Sequence, residues 1–114
     1  HLAYVRRRPP LTPVTALHPT IDTGDQRSLA ETVERLEQLV PADAARRNVT
    51  VQVHVLEGDV PDALCAAAER LAVDAICMAS RARSAVNAAV IGSATLGVLA
   101  RSRRPVFVVR AAAE

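Results

Sequence analysis

The chain has 114 residues, of which 50% are apolar and 2% aromatic, and its formal net charge is +2. This length and apolar content predict one globular domain and exclude a disordered chain. So small a charge gives no argument for nucleic acid, and the lack of aromatic side chains excludes base stacking on aromatic platforms. We therefore expect an aliphatic core and no nucleic-acid partner.

All 14 basic residues are arginine, which a GC-rich coding bias explains, and the arginine clusters at 6–8 and 101–104 are interpreted as solvated surface. Cys65 and Cys77 lie inside apolar runs without metal-ligand spacing. They are predicted to be small buried residues in a reducing compartment, and no metal is expected. No run is long enough for a membrane span and no signal peptide is evident, so we expect a cytoplasmic chain without direct membrane insertion.

The first part of the chain predicts a strand, a loop and a helix. Residues 2–5 form a short apolar run that predicts a strand. Four prolines within residues 6–27 preclude regular structure, and this stretch is predicted to be a long mobile loop. Ser28 and Glu31 form a capping-box pattern, which predicts that a helix starts at Ser28. Apolar residues at helical spacing follow, up to an interruption by the proline at position 41: Leu29, Val33, Leu36 and Val40.

The middle of the chain predicts a second strand and a second helix. Valines at every second position of 49–55 predict a strand with one wet face. His54 falls on that wet face and is interpreted as a solvated side chain. Asp59 can cap a helix and Pro61 suits its first turn, so together they predict that a helix begins here.

The last part of the chain predicts a strand, a helix and a final strand. The continuous apolar run 75–78 predicts a strand that is buried on both faces. Residues 94–102 predict a helix with Leu96 and Leu99 pointing inward, and residues 105–109 predict the final strand. The alternation of strands and helices indicates an α/β fold with an open, mainly parallel sheet and helices on both faces.

The loop before the third helix has the features of an anion site. Gly92 and Ser93 would present backbone N–H groups and a hydroxyl at the N-terminus of that helix. Ordinary helix capping accounts for the same two residues, and both interpretations stay open. Arg81 and Arg83 carry guanidinium groups that suit phosphate oxygens, although they are equally ordinary as solvated loop residues.

The positions of Ala79, Ala82, Gly92 and Ser93 resemble the phosphate loop of the universal stress protein family. In nucleotide-binding members of that family the loop has a glycine, two residues, a second glycine, nine residues, and a third glycine followed by serine or threonine. The spacing is kept here without a gap. The resemblance runs from residue 1 to 110 and includes three flanking segments: 56–61, 74–79 and 104–109.

The resemblance implies an adenine nucleotide alpha hydrolase-like fold with strand order 3-2-1-4-5. The family's first strand and first helix precede the segment that matches residues 2–5, so residues 1–114 are expected to be a single domain that is incomplete at its N-terminus. The missing strand is the central one, and its absence predicts a gap between the two halves of the sheet. We expect residues before His1 in the natural protein, or another chain, to fill that gap.

The resemblance also implies where ATP or AMP would bind. Ala79 and Ala82 replace the first two motif glycines, which weakens this expectation. An alanine in a left-handed conformation costs about 1 kcal/mol, and its methyl group enters the path of the ligand. The implied cofactor-binding residues are Val5, Met78, Ala79, Ser80, Arg81, Ala82, Arg83, Gly92, Ser93, Ala94 and Thr95.

Three functions follow from these observations. The leading hypothesis is a non-catalytic regulatory domain that forms a homodimer through strand 106–109, or acts within a tandem protein or a host membrane transporter or sensor. The alternative is an ATP- or AMP-binding sensor. A slow ATPase is disfavoured, because Asp59 and His54 are unconvincing bases and Ser80 and Ser93 have no adjacent histidine in the sequence.

Overall fold

A computed structural model of the chain describes residues 1–7, 23–80 and 91–110, with the backbone alone for 23–25. The chain divides into two compact units, His1–Glu57 and Gly58–Glu114. A short 3-10 helix, Ala45–Arg47, lies in the first unit. The strands and α-helices of the described residues are β1 (Leu2–Arg6), α1 (Thr23–Gln38), β2 (Val53–Glu57), α2 (Val60–Arg70), β3 (Ile76–Ser80), α3 (Ser93–Arg101) and β4 (Val106–Arg110).

The first unit contains a parallel pair of strands, β1 and β2. Their register runs from Leu2 opposite Val53 to Arg6 opposite Glu57, and the Leu2 N–H donates to the Gln52 carbonyl at 2.8 Å. The prediction of a strand from position 49 is therefore wrong at its start. A strand needs a paired neighbour, and residues 49–51 lie before the register at which pairing begins.

Helix α1 begins at Thr23, so the predicted start at Ser28 is wrong. Ser28 lies inside the helix, where its carbonyl accepts a hydrogen bond from the Thr32 hydroxyl at 2.8 Å. The predicted bounds of the loop, 6–27, are wrong at both ends, because Arg6 belongs to β1 and the residues from 23 onward belong to α1. Residues 8–22 lie outside the described residues. The helix ends before the proline at 41, as predicted, and Leu36 is its most buried side chain.

Helix α2 in the second unit begins where the sequence predicts. Asp59 is the N-cap, and its carboxylate accepts from the Asp62 N–H at 3.4 Å. At the other end Ala72 takes a left-handed conformation with φ 49°. The Ala72 N–H donates to the Glu69 carbonyl and the Val73 N–H to the Ala68 carbonyl, each at 3.1 Å. This pair of bonds is the Schellman motif, which here uses alanine where glycine is usual.

Strands β3 and β4 also pair in parallel, from Ile76 opposite Val106 to Ser80 opposite Arg110. Exposure alternates along both strands, and Cys77 is exposed. The predictions that this strand is buried on both faces and that Cys77 is buried are therefore wrong. An apolar run does not reveal how many faces of a strand are covered, and helix α3 packs on β4 within this unit. The exposed apolar residues of the pair are Cys77, Ala79, Phe107 and Val109.

Helix α3 turns a different face inward from the one predicted. Leu96 and Leu99 are 53% and 43% exposed, whereas Val98 is fully buried. Gly97 explains the difference, because a Cβ atom at this position would overlap the ring of Pro61 on α2. The absence of a side chain at 97 lets the two helices approach closely, and the neighbouring Val98 is buried in the contact.

Candidate anion site at the start of the third helix

The N-terminus of α3 offers free hydrogen-bond donors. Gly92 is the N-cap and has no side chain to satisfy them, and the Leu96 N–H donates to the Gly92 carbonyl at 3.0 Å. The N–H groups of Ser93, Ala94 and Thr95 therefore come before Leu96, the first residue whose N–H is bonded within the helix. The first turn carries no acidic residue. Donors and helix dipole together favour an anion at this point.

Gly92 is not required by the backbone conformation. Its φ of −61° and ψ of 153° are open to any residue. A Cβ atom at this position would meet nothing within 4 Å. The glycine therefore leaves open space in front of the helix, which a ligand atom can enter.

The end of β3 supplies the predicted site residues Met78, Ala79 and Ser80. Ala79 lies inside the strand, opposite Val109, and its backbone is extended rather than left-handed. The predicted backbone strain therefore does not apply at Ala79. The other predicted effect of replacing glycine, a methyl group in the path of a ligand, still applies because the residue is exposed. Ser80 is buried, at 8% exposure, and Met78 is half-buried.

The other predicted site residues fall into three groups. Thr95, in the first turn of α3, is buried at 3% exposure, so its side chain is part of the packing of the unit. Val5 lies on β1 opposite Leu56 and belongs to the first unit, whereas the other described site residues belong to the second. Three predicted residues lie outside the described residues: Arg81, Ala82 and Arg83.

The arginines near the end of α3 are paired with carboxylates. The Arg101 guanidinium lies 3.2 Å from the carboxylate of Asp59 and 2.7 Å from that of Asp62. The Arg104 guanidinium lies 3.3 Å from the carboxylate of Glu69. These pairs join α2 to α3 and to the approach to β4. Sequence reasoning missed them because the partners are separated by 35 to 42 positions, which leaves no local spacing to find.

No group in the described residues is arranged as a nucleophile. Burial raises the pKa of the Cys65 thiol; Arg101 lowers this pKa, while Asp62 and Glu69 raise it further. The thiol is therefore held in its protonated, less reactive form. In residues 1–7, 23–80 and 91–110, no serine, threonine or cysteine side chain hydrogen-bonds to a histidine.

The side chains described by the structure include no cluster of three or more His, Cys, Asp or Glu residues that could hold a metal ion. No described helix combines the length and apolar character needed to cross a membrane.

Parallel strands joined through helices, with a glycine-capped helix following β3, define an α/β domain of the adenine nucleotide alpha hydrolase-like class. The chain belongs to the universal stress protein family, because the family model matches residues 1–110. This match confirms the resemblance over the same range, and the α/β fold is confirmed with it.

Solved structures agree on the fold. The chain is similar to the hypothetical protein MJ0577, with a TM-score of 0.73, 20% identity, and coverage of 99% of this chain and 76% of that one. It is also similar to the hypothetical protein PH0823, with a TM-score of 0.69, 18% identity and the same coverage of 99% and 76%. At such identities the likeness shows the fold alone. No curated protein matches the chain.

Proposed function

We propose that the chain is a non-catalytic regulatory domain of the universal stress type that acts in the cytoplasm by self-association through β4. The observation that carries this proposal is the position of β4, with β3 as its one strand neighbour among the described residues. A strand paired on one side presents unsatisfied backbone groups on the other. A second copy of the chain can satisfy them.

The hydrogen bonds of β4 identify its outward groups. The Ile76 N–H donates to the Pro105 carbonyl at 2.8 Å. Along a parallel strand, successive residues alternate between bonding to one neighbour and pointing away from it. Phe107 and Val109 therefore bond to β3, while the backbone groups of Val106 and Val108 point to the other edge.

Side chains beside this edge support association. Phe107 is 62% exposed and Val109 is 54% exposed. They share a face of the sheet with the exposed Cys77 and Ala79, which lie opposite them on β3. Exposed apolar surface next to an open strand edge favours burial by a partner, because removing it from water adds to the backbone pairing.

The test removes one outward donor and leaves the bonds to β3 in place. Val108→Pro deletes an edge N–H, and Val108→Thr is the matched control, since it keeps the N–H and the β-branched shape. We expect the molar mass of the unmodified chain and of the Thr variant, measured by light scattering, to rise with concentration. We expect the Pro variant to remain monomeric with an unchanged circular dichroism spectrum. A monomer at every concentration in all three would refute the proposal.

The second candidate function is an ATP- or AMP-binding sensor, favoured by the donors and open space at Gly92. Under this alternative, calorimetric titration of ATP or AMP with Mg²⁺ gives micromolar binding. Gly92→Asp abolishes it by placing a carboxylate where phosphate would sit, and the fold tolerates the change because Asp is a good N-cap. Gly92→Ala is the control that adds a methyl group alone.

The two candidates give different results in this titration. No heat at millimolar nucleotide would exclude the sensor and leave the self-association proposal standing. Micromolar binding that is lost in Gly92→Asp would support the sensor and show that the domain binds a nucleotide.

A further inference from the structure

Two histidines meet at the start of the first sheet. The Nδ1 atom of His1 lies 2.9 Å from the Nε2 atom of His54. The ring centroids are 5.1 Å apart and the ring planes are tilted by 49°. The strand register explains the contact, because Ala3 lies opposite His54 and His1 is two positions before Ala3 on the same face.

We propose that His1 and His54 form a binding site for one divalent transition-metal ion of the kind that imidazole prefers, such as Ni²⁺, Cu²⁺ or Zn²⁺. Neutral imidazole binds such ions through the lone pair of one ring nitrogen. The facing atoms, Nδ1 of one ring and Nε2 of the other, are the atoms that would coordinate. The ring that donates in this contact must carry its proton on its outer nitrogen when it binds the ion, which is a change of tautomer.

The distance between the two nitrogens suits a shared ion. With metal–nitrogen bonds of about 2.0 to 2.1 Å in tetrahedral geometry, two ligand nitrogens lie about 3.3 Å apart. The two nitrogens must separate by a few tenths of an ångström from their 2.9 Å contact, and the rings must also turn so that both lone pairs converge on the ion instead of pointing along the line between the nitrogens. His54 is half-buried on β2 and the His1 ring is exposed. Rotation of the exposed ring can supply this movement.

The donor set determines which ions bind. Within the described residues no third His, Cys, Asp or Glu side chain joins the pair in a cluster, so two imidazoles are the side-chain ligands of the site. Two imidazoles predict micromolar affinity that follows the order of transition metals, with Cu²⁺ above Ni²⁺. Mg²⁺ and Ca²⁺ prefer oxygen ligands and are not expected to bind here. The site lies on the β1–β2 sheet and does not depend on the function proposed for β4.

Calorimetric titration with NiCl₂ tests the proposal, with MgCl₂ as the negative control. We expect one Ni²⁺ per chain and a loss of about tenfold or more in affinity in both His1→Gln and His54→Gln. His18→Gln is the matched control, since it removes the chain's third histidine, which lies outside the described residues. It is expected to keep the affinity of the unmodified chain. Unchanged affinity in His54→Gln, or an equal loss in His18→Gln, would overturn the proposal.

Two spectroscopic readouts separate lost ligation from lost folding. With Cu²⁺, electron paramagnetic resonance of the unmodified chain should show coupling to two imidazole nitrogens, and His54→Gln should show one fewer. Circular dichroism should be the same for both proteins without metal. Added Ni²⁺ should raise the melting temperature of the unmodified chain more than that of His54→Gln, because the ion binds the folded pair. Identical spectra of the two Cu²⁺ complexes would also overturn the site.

Discussion

The two parallel strand pairs have the same backbone arrangement and different side chains. Each consists of five paired positions. The β1–β2 pair begins at the contact between His1 and His54 and ends with Arg6 opposite Glu57. The β3–β4 pair exposes two large apolar side chains, Phe107 at 62% and Val109 at 54%, whereas the β1–β2 pair exposes one, Tyr4 at 50%. Because the strand pairing is equal, the side chains distinguish the two sheets, and we propose an ion as the ligand of the first and a second chain as the partner of the second.

The cores of the two units differ as well. In the first unit the buried apolar side chains of the described residues are Leu36 and Ala44. In the second unit α2 and α3 approach closely at Gly97, and Val98 is fully buried beside it. The first unit thus depends on one large side chain, while the second depends on close contact between two helices.

The largest effect is expected from Leu36→Ala, which removes the one large side chain that is buried among the described residues of the first unit. Leucine-to-alanine changes in cores cost about 2 to 5 kcal/mol. Amide hydrogen exchange should show the loss of protection first in β1, α1 and β2. Leu39→Ala is the control, because Leu39 is 68% exposed and should change stability by less than about 0.5 kcal/mol. Equal losses in the two variants would contradict the description of this core.

Gly97→Ala should destabilise the second unit by up to about 2 kcal/mol. The overlap with Pro61 costs about 1 to 3 kcal/mol as overpacking, offset by a gain of about 1 kcal/mol in helix propensity. Denaturant unfolding of both single variants and of Gly97→Ala with Pro61→Ala measures the coupling. The second substitution should restore part of the loss. Additive effects would show that the two helices are not in close contact at this point.

Ala72→Gly should stabilise the chain by about 1 kcal/mol or slightly less, because glycine removes the steric cost of φ 49° at the end of α2. Ala66→Gly is the matched control on the same helix, where Ala66 is exposed. That change should destabilise by about 1 kcal/mol. Thermal or denaturant unfolding compares the two variants, and the same sign in both would argue against the left-handed conformation at Ala72.

Substitution of a cysteine is expected to have the smallest effect on stability. The two cysteines should instead differ from each other in reactivity. Burial raises the pKa of the Cys65 thiol, so less thiolate is present at any pH below that pKa. Cys77 is exposed on β3. Alkylation followed by mass spectrometry should modify Cys77 first, and Cys77→Ser should remove the fast phase. Protection of Cys77 at high protein concentration would further support association through the β3–β4 sheet.

Much of the fold follows from local patterns in the sequence. The order of strands and helices, the cap at Asp59 and the helix start after Gly92 were predicted, because each depends on residues that are close in the chain. Each strand pair of the described residues joins neighbours in the predicted strand order, β1 with β2 and β3 with β4.

Several features that the sequence did not predict correctly depend on residues outside the local pattern. Hydrophobicity favours Leu96 and Leu99 as the inner face of α3, but the missing side chain at Gly97 brings a different face against Pro61. The sequence at Ser28 matches the capping-box pattern, but the helix already begins at Thr23. The contact between His1 and His54 depends on a register that alternation along a single strand cannot supply.

Among the described residues β4 is paired on one side. If a second copy pairs with its other side, the local concentration of copies determines how much of the protein is associated. Separate chains that pair through this edge would come apart on dilution. A short flexible tether between two copies would hold the edges at a millimolar effective concentration, without adding any contact. Duplication of the domain, or attachment to a partner that itself dimerises, would then make pairing independent of how much of the protein is present.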